Sequence, residues 1–140
     1  MKIVHSCVFI AATAWGAHAS AQMSPNDVAS FEHSSGTYSV ACGKAGAARV
    51  TVSVDSITIE VGTKRLSGKP TMATGTSFGR GPPPPEYADF LVELMTTIAS
   101  LYVMEGKDGR YLVFPELEYA TGLEKHFGKG ALSGRFKRCS

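Results

Sequence analysis

Two short runs alternate apolar and polar residues with a strict period of two, and they restrict the fold more than any other feature. Val50, Val52 and Val54 fall on one face with Thr51 and Ser53 on the other. After Asp55-Ser56, Ile57, Ile59 and Val61 repeat the pattern opposite Thr58 and Glu60. A period of two is that of a strand with one face buried and one wet, and two such runs across a tight turn make an antiparallel pair. Gly62-Thr63-Lys64 turns the chain again into a short segment, Arg65-Leu66-Ser67. Ahead of the pair, Gly36 opens a first strand over 37–42, and Gly43-Lys44-Ala45-Gly46 reads as the turn that closes it. Further on, the runs 100–105 and 110–114 flank Gly106-Lys107-Asp108-Gly109, where Asp-Gly is a strong hairpin signal. Both faces of that hairpin are apolar, so each needs a cover. The expected fold class is α+β: mainly an antiparallel β-meander, closed as a sandwich or small barrel-like sheet, with one or two covering helices.

The natural cover is the stretch 86–98. As a helix it places Tyr87, Phe90, Leu91, Leu94 and Ile98 on one stripe, with Glu86, Asp89 and Glu93 outside. A preceding proline and acids in the first turn are helix-start signals. As a strand, Leu91, Glu93 and Met95 would share a face, a poorer alternation, so the pattern predicts a helix. A second short helix is predicted over 116–127, with Leu117, Leu123 and Phe127 inward and Gly128 as its stop. A last strand over about 131–139 is expected beside the first. Residues 22–35 show no clear period and are expected as a partly ordered lead-in.

The first 21 residues have the form of a secretory signal. Met1-Lys2 is followed by an apolar run and two small-residue cleavage patterns, Ala17-His18-Ala19 and Ala19-Ser20-Ala21. Cleavage is expected after Ala21, leaving 22–140 as one exported domain, periplasmic or secreted, with no stable membrane insertion. Removing 1–21 also removes Cys7, so the remaining cysteines are Cys42 and Cys139. In an oxidising compartment they are expected to form one bridge, the alternative being two buried thiols. The chain carries 14 Lys and Arg against 12 Asp and Glu, and the signal contributes Lys2 alone, so the exported part is close to neutral. That balance, with the export signal, argues against nucleic acid as a partner. After Glu124 the sequence holds Lys125, Lys129, Arg135, Lys137 and Arg138 with no acid. These cations read as the guard of a solvated edge strand or as a basic surface for an acidic partner.

Residues 69–85 differ in kind. They are rich in Gly, Thr and Ser and end in Gly79-Arg80-Gly81 followed by Pro82, Pro83, Pro84 and Pro85. Consecutive prolines stiffen the chain into an extended rod and cannot donate to a sheet. A long loop with a rigid shoulder is expected, projecting Phe78 and Arg80. Such loops serve as binding elements or as plain spacers. The same loop contains Gly75-Thr76-Ser77-Phe78-Gly79, which matches the Gly-x-Ser-x-Gly nucleophile elbow, and Asp108 and His126 follow in the hydrolase order. The elbow needs a helix straight after the serine, and here Arg80-Gly81 and four prolines stand in its place, so we take the match as coincidence and expect no enzyme. Residues 22–140 contain His33 and His126 as their histidines, neither at ligand spacing with a second His or Cys, so no metal or cofactor is expected. Glu116 and Glu118 with Glu124 form an acidic rim in which a glycosidic pair is the less common arrangement.

The exported domain with Tyr38 and Cys42 on its first strand and Cys139 at its end is similar to bacterial periplasmic lysozyme inhibitors and related immunity proteins. The resemblance implies a small β-rich protein that binds a secreted or cell-wall enzyme. That family's Ser-Gly-x-x-Tyr loop is not matched, since Ser35-Gly36-Thr37-Tyr38 is one residue short and precedes the cysteine, and the aromatic partner position is empty because Trp15 lies in the signal. The resemblance therefore implies no site residue here. The expected function is that of an exported non-enzymatic binding protein with a protein partner, contacting it through Phe78, Arg80, Pro82, Pro83, Pro84 and Pro85. The alternative is an envelope protein that binds a small molecule or lipid between the hairpin and the Tyr87 stretch.

Overall fold

The alternating runs do become paired strands. The computed structural model describes residues 22–115 and 121–140. Arg49–Val52 (β2) and Ile57–Val61 (β3) pair antiparallel with Val50 opposite Ile59 and Val52 opposite Ile57, and all four side chains are buried. Lys64–Gly68 (β4) follows through a two-residue turn in which Gly62 takes φ +59°, a sign that suits glycine at the first position of a tight hairpin. Gly36–Ser39 (β1) pairs β2 from the other side. Pro70–Thr74 (β5), Phe90–Thr96 (β6), Ser100–Gly106 (β7) and Gly109–Val113 (β8) form a second meander, and Phe136–Arg138 (β9) lies between β8 and β1. The nine strands run in the order β4-β3-β2-β1-β9-β8-β7-β6-β5.

That order brings the two edges of the sheet together. The edge strands β4 and β5 are consecutive, joined through Lys69, whose N–H donates to Thr97 Oγ1 (3.0 Å) and whose carbonyl accepts from Thr97 N–H (2.9 Å). The sheet is thus a nearly closed barrel, and its lumen is filled by Tyr38, Val50, Ile59, Leu101, Leu112 and Phe136, each fully buried. The helix Pro25–Ser34 (α1) contacts β5 and β6 and adds Phe31 to the same core. A second helix, Thr121–Phe127 (α2), adds Leu123 and Phe127. Cys42 and Cys139 are bonded, with Cα atoms 5.6 Å apart. Among the described residues no helix is long and apolar enough to cross a membrane.

Four sequence expectations are corrected. Residues 22–35 are a helix rather than a lead-in: Ser24 and Asp27 form a reciprocal capping box with Pro25 in the first turn, enough to nucleate a short polar helix once Phe31 is buried. The predicted helix over 86–98 is strand β6, preceded by a single 3-10 turn at Pro85–Tyr87. The helix-start signals are spent on that turn, and a bulge between Phe90 and Val92 breaks the alternation that would have revealed the strand. The long loop is shorter than 69–85, because 70–74 pair with β6 as β5. The C-terminal cations do not guard an edge strand, since β9 is interior to the sheet. Two further predictions shrink: the first strand stops at Ser39 and the last covers 136–138 alone. The start of the second predicted helix, with Leu117, lies outside the described residues.

Candidate functional site

The outer face of β6–β8 carries a second, smaller cluster. On a strand successive side chains alternate, so while Leu101, Val103 and Leu112 enter the barrel, Tyr102, Met104 and Tyr111 point outward, yet all three are buried. Their cover is not a helix but the connection between β5 and β6. Phe78 descends from this connection onto three rings: Tyr87 at 5.4 Å, Phe90 at 4.9 Å and Tyr102 at 5.4 Å between centroids. Tyr87 and Phe90 each stand 5.2 Å from Tyr102 at near right angles, the edge-to-face arrangement that aromatic quadrupoles favour.

Two polar contacts pin the same connection. Ser77 Oγ donates to the Glu93 carboxylate, and Glu93 is buried on the outer face of β6, opposite Thr74 and Tyr102. Burial holds the Tyr102 hydroxyl above its ordinary pKa, and the nearby Glu93 charge raises it further. At the far end, Asp89 accepts from Tyr111 OH (3.0 Å) through its side chain and from Glu105 N–H (2.9 Å) through its carbonyl. A Cβ on Gly106 would stand 2.9 Å from Asp89 Oδ2, so a larger residue there would make the carboxylate that accepts from Tyr111 OH shift. Burial, then the bond to Asp89, pushes the Tyr111 phenol up as well, so it stays protonated and donating at neutral pH.

The predicted contact residues divide on this geometry. Phe78 does not project; it is the anchor. Arg80 and Gly81 are exposed beside Pro82 and Pro85, and Pro83 and Pro84 are half-buried. Lying in the chain between Phe78 and Tyr87, both members of the ring cluster, they form a ledge beside it, and Leu91 on β6 is a large apolar side chain left 42% exposed. The hydrolase elbow has the strand before Ser77 but a turn after it, with Gly79 N–H bonded to Thr76 O at 2.8 Å. Ser77 is brought to Glu93, while His126 lies on α2 against Phe127 and Asp108 sits in the β7–β8 turn. Glu124 is exposed on α2, and Glu116 and Glu118 lie outside the described residues. Among the described residues no three His, Cys, Asp or Glu side chains are placed to hold a metal.

Glu93, Tyr102, Tyr111 and Asp89 were missed as site residues. The signal was present in Glu93, a carboxylate inside the apolar run 90–95, which as strand must be either exposed or partnered. No protein-family model, curated protein or solved structure matches the chain.

Proposed function

We propose that this is an exported, non-enzymatic binding protein, periplasmic or secreted, that offers the ledge of Arg80, Pro82, Pro83, Pro84 and Pro85 to a protein partner, as an inhibitor or immunity partner of a secreted or cell-wall enzyme would. The observation that carries this reading is the clasp beneath the ledge. With Phe78 set among three rings and Ser77 tied to buried Glu93, the exposed residues are held outward before any partner arrives. Binding then costs little loop ordering, which otherwise subtracts from affinity. The prolines add stiffness of their own. The exposed Arg80 among exposed and half-buried prolines supplies the mixed apolar and cationic chemistry that protein interfaces favour. The signal-like residues 1–21 and the Cys42–Cys139 bridge support export. The alternative, a small molecule or lipid between the hairpin and the Tyr87 stretch, is weakened because Phe78, Tyr87 and Phe90 already pack against Tyr102 there.

The test is capture from a cell-envelope extract by the immobilised domain. The parent is expected to retain a protein that Arg80→Glu retains at least tenfold less. Phe78→Ala should lower stability by about 2–3 kcal/mol, the scale of a partly buried ring and its aromatic pairs, and weaken capture by freeing the loop. Equal capture by parent, Arg80→Glu and Phe78→Ala would sink the reading, and a small molecule seen on the parent by native mass spectrometry would replace it with the alternative.

A further inference from the structure

Next to the clasp, on the same outer face, the tip of the β7–β8 hairpin and the start of β9 enclose an open groove of about 440 Å³. Three of the chain's exposed cations line it: Lys107 from the turn, and Arg135 and Lys137 from the C-terminal segment. Lys137 stands opposite Tyr111 in the strand register, and the Arg135 guanidinium lies over the Tyr111 ring, 4.7 Å from its centroid. That contact holds the guanidinium at the groove wall, where it makes no ion pair and can meet a carboxylate. Arg110 also lines the groove but is paired with Glu105, and accepting from Tyr111 OH does not neutralise Asp89. Asp89 and Asp108 thus stand against Lys107, Arg135 and Lys137, and the groove stays net positive. The ion pairs among the described residues are Arg49–Glu60 and Arg110–Glu105, neither involving these three.

We infer that this groove receives an acidic, extended stretch of the protein partner, carboxylates against Lys107, Arg135 and Lys137. The inference rests on the reading of the molecule as a protein-binding module and names the chemistry of its partner. Charge complementarity and continuity carry it. Residues 85–89 run from the proline ledge directly to the groove wall at Asp89, so one partner can cover ledge and groove together. The cations come from two separate segments and are spread along an open cleft. That suits several carboxylates on a chain better than one enclosed ion, because exposed pairs are individually weak and act together.

Fluorescence anisotropy of fluorescein-labelled hexaglutamate against the whole domain tests this at low salt. The parent is expected to bind it. The triple change Lys107→Glu, Arg135→Gln, Lys137→Glu should weaken binding at least tenfold. A control triple of similar charge change at exposed sites elsewhere, Lys44→Glu, Lys69→Glu, Lys129→Gln, should stay within twofold. Absence of binding by the parent, equal weakening in both triples, or displacement by inorganic phosphate at matched anion concentration would each overturn the proposal. Hexaglutamate assays the groove without the envelope partner, so lost peptide binding with retained capture removes the groove alone. Lost capture with retained peptide binding removes the partner reading alone.

Discussion

Asp27 does two things with one carboxylate. Its Oδ2 accepts from Ser24 N–H (2.9 Å) and Ser24 Oγ (2.6 Å), closing the N-terminal turn of α1, while Oδ1 accepts from Ala73 N–H (2.8 Å) on strand β5. These bonds to Ser24 and then Ala73 hold the Asp27 carboxyl below its ordinary value of 3.8. A group whose folded pKa is depressed adds stability above its unfolded pKa and loses it as pH falls through the folded one. Stability should therefore drop on acidification below about pH 4, and Asp27→Asn should flatten that part of the curve while lowering stability at pH 7. Melting temperatures of both proteins between pH 7 and pH 2 check this; parallel curves would mean the carboxylate contributes nothing. The sequence reading, which took 22–35 as a lead-in for want of a period, passed over the cap in Ser24-Pro25-Asn26-Asp27, and the bond to Ala73 spans a separation that no local pattern carries. The other end of α1 follows the same logic. Its last carbonyls accept from Arg110 (His33 O, 2.6 Å), Tyr38 OH (Ser34 O, 2.8 Å) and Arg138 (Ser35 O, 2.7 Å). Orphan carbonyls at a helix C-terminus are thus met by donors from three strands.

At the level of elements, α1 and β6 show where sequence reading stops. Strands with unbroken alternation, β2 and β3, were found with nearly their observed limits, and so was the β7–β8 hairpin. Its turn differs in detail: only Gly109 takes positive φ, +98°, so Asp108 is not in the mirror-image turn that Asp-Gly first suggests. In β6 a bulge shifts the phase, and a strand apolar on both faces cannot be told from a helix by period alone. What decides it is pairing with β5 and β7, which is tertiary. The stiff connection between β5 and β6 was legible in its prolines; its anchor was misread because an exposed tip and a partly buried ring both read as one aromatic in a Gly-Ser-Thr stretch. As for α1, a mostly polar helix with one fully buried ring, its stability must come from Phe31 entering the barrel beside the seam. Phe31→Ala should cost about 3–5 kcal/mol in urea unfolding, as for other buried phenylalanines, and should expose the β5 edge to hydrogen exchange. A loss under about 1 kcal/mol would show that α1 is an ornament on a barrel that closes without it.

At the level of the whole molecule, the barrel is two meanders, β1–β4 and β5–β8, joined in two places. One joint is covalent and short, through Lys69. The other is β9, a three-residue strand that meets β1 at two register pairs (Tyr38 with Arg138, Ser39 with Lys137) and β8 at two (Tyr111 with Lys137, Leu112 with Phe136). So few ladder bonds make this the weakest line through the sheet, and Cys139 N–H adds one more to Thr37 O at 2.8 Å. The bridge from Cys42 to Cys139 sits at that line and closes a loop with a sequence separation of 97. A loop of that size is worth roughly 4–5 kcal/mol of denatured-state entropy, and removing such bridges typically costs 2–5 kcal/mol. The placement makes a stronger prediction than the magnitude. In Cys42→Ser/Cys139→Ser, amide protection should be lost first along β9 and the facing residues of β1 and β8, while β6–β7, the most densely paired strands, keep theirs to the global limit. Arg135 and Lys137 ride on this segment, so hexaglutamate binding should fall with the same variant even where the domain stays folded. If β6–β7 opened first, or peptide binding survived intact, the bridge would be a denatured-state constraint alone. The basic groove would then not depend on holding the C-terminal strand in place.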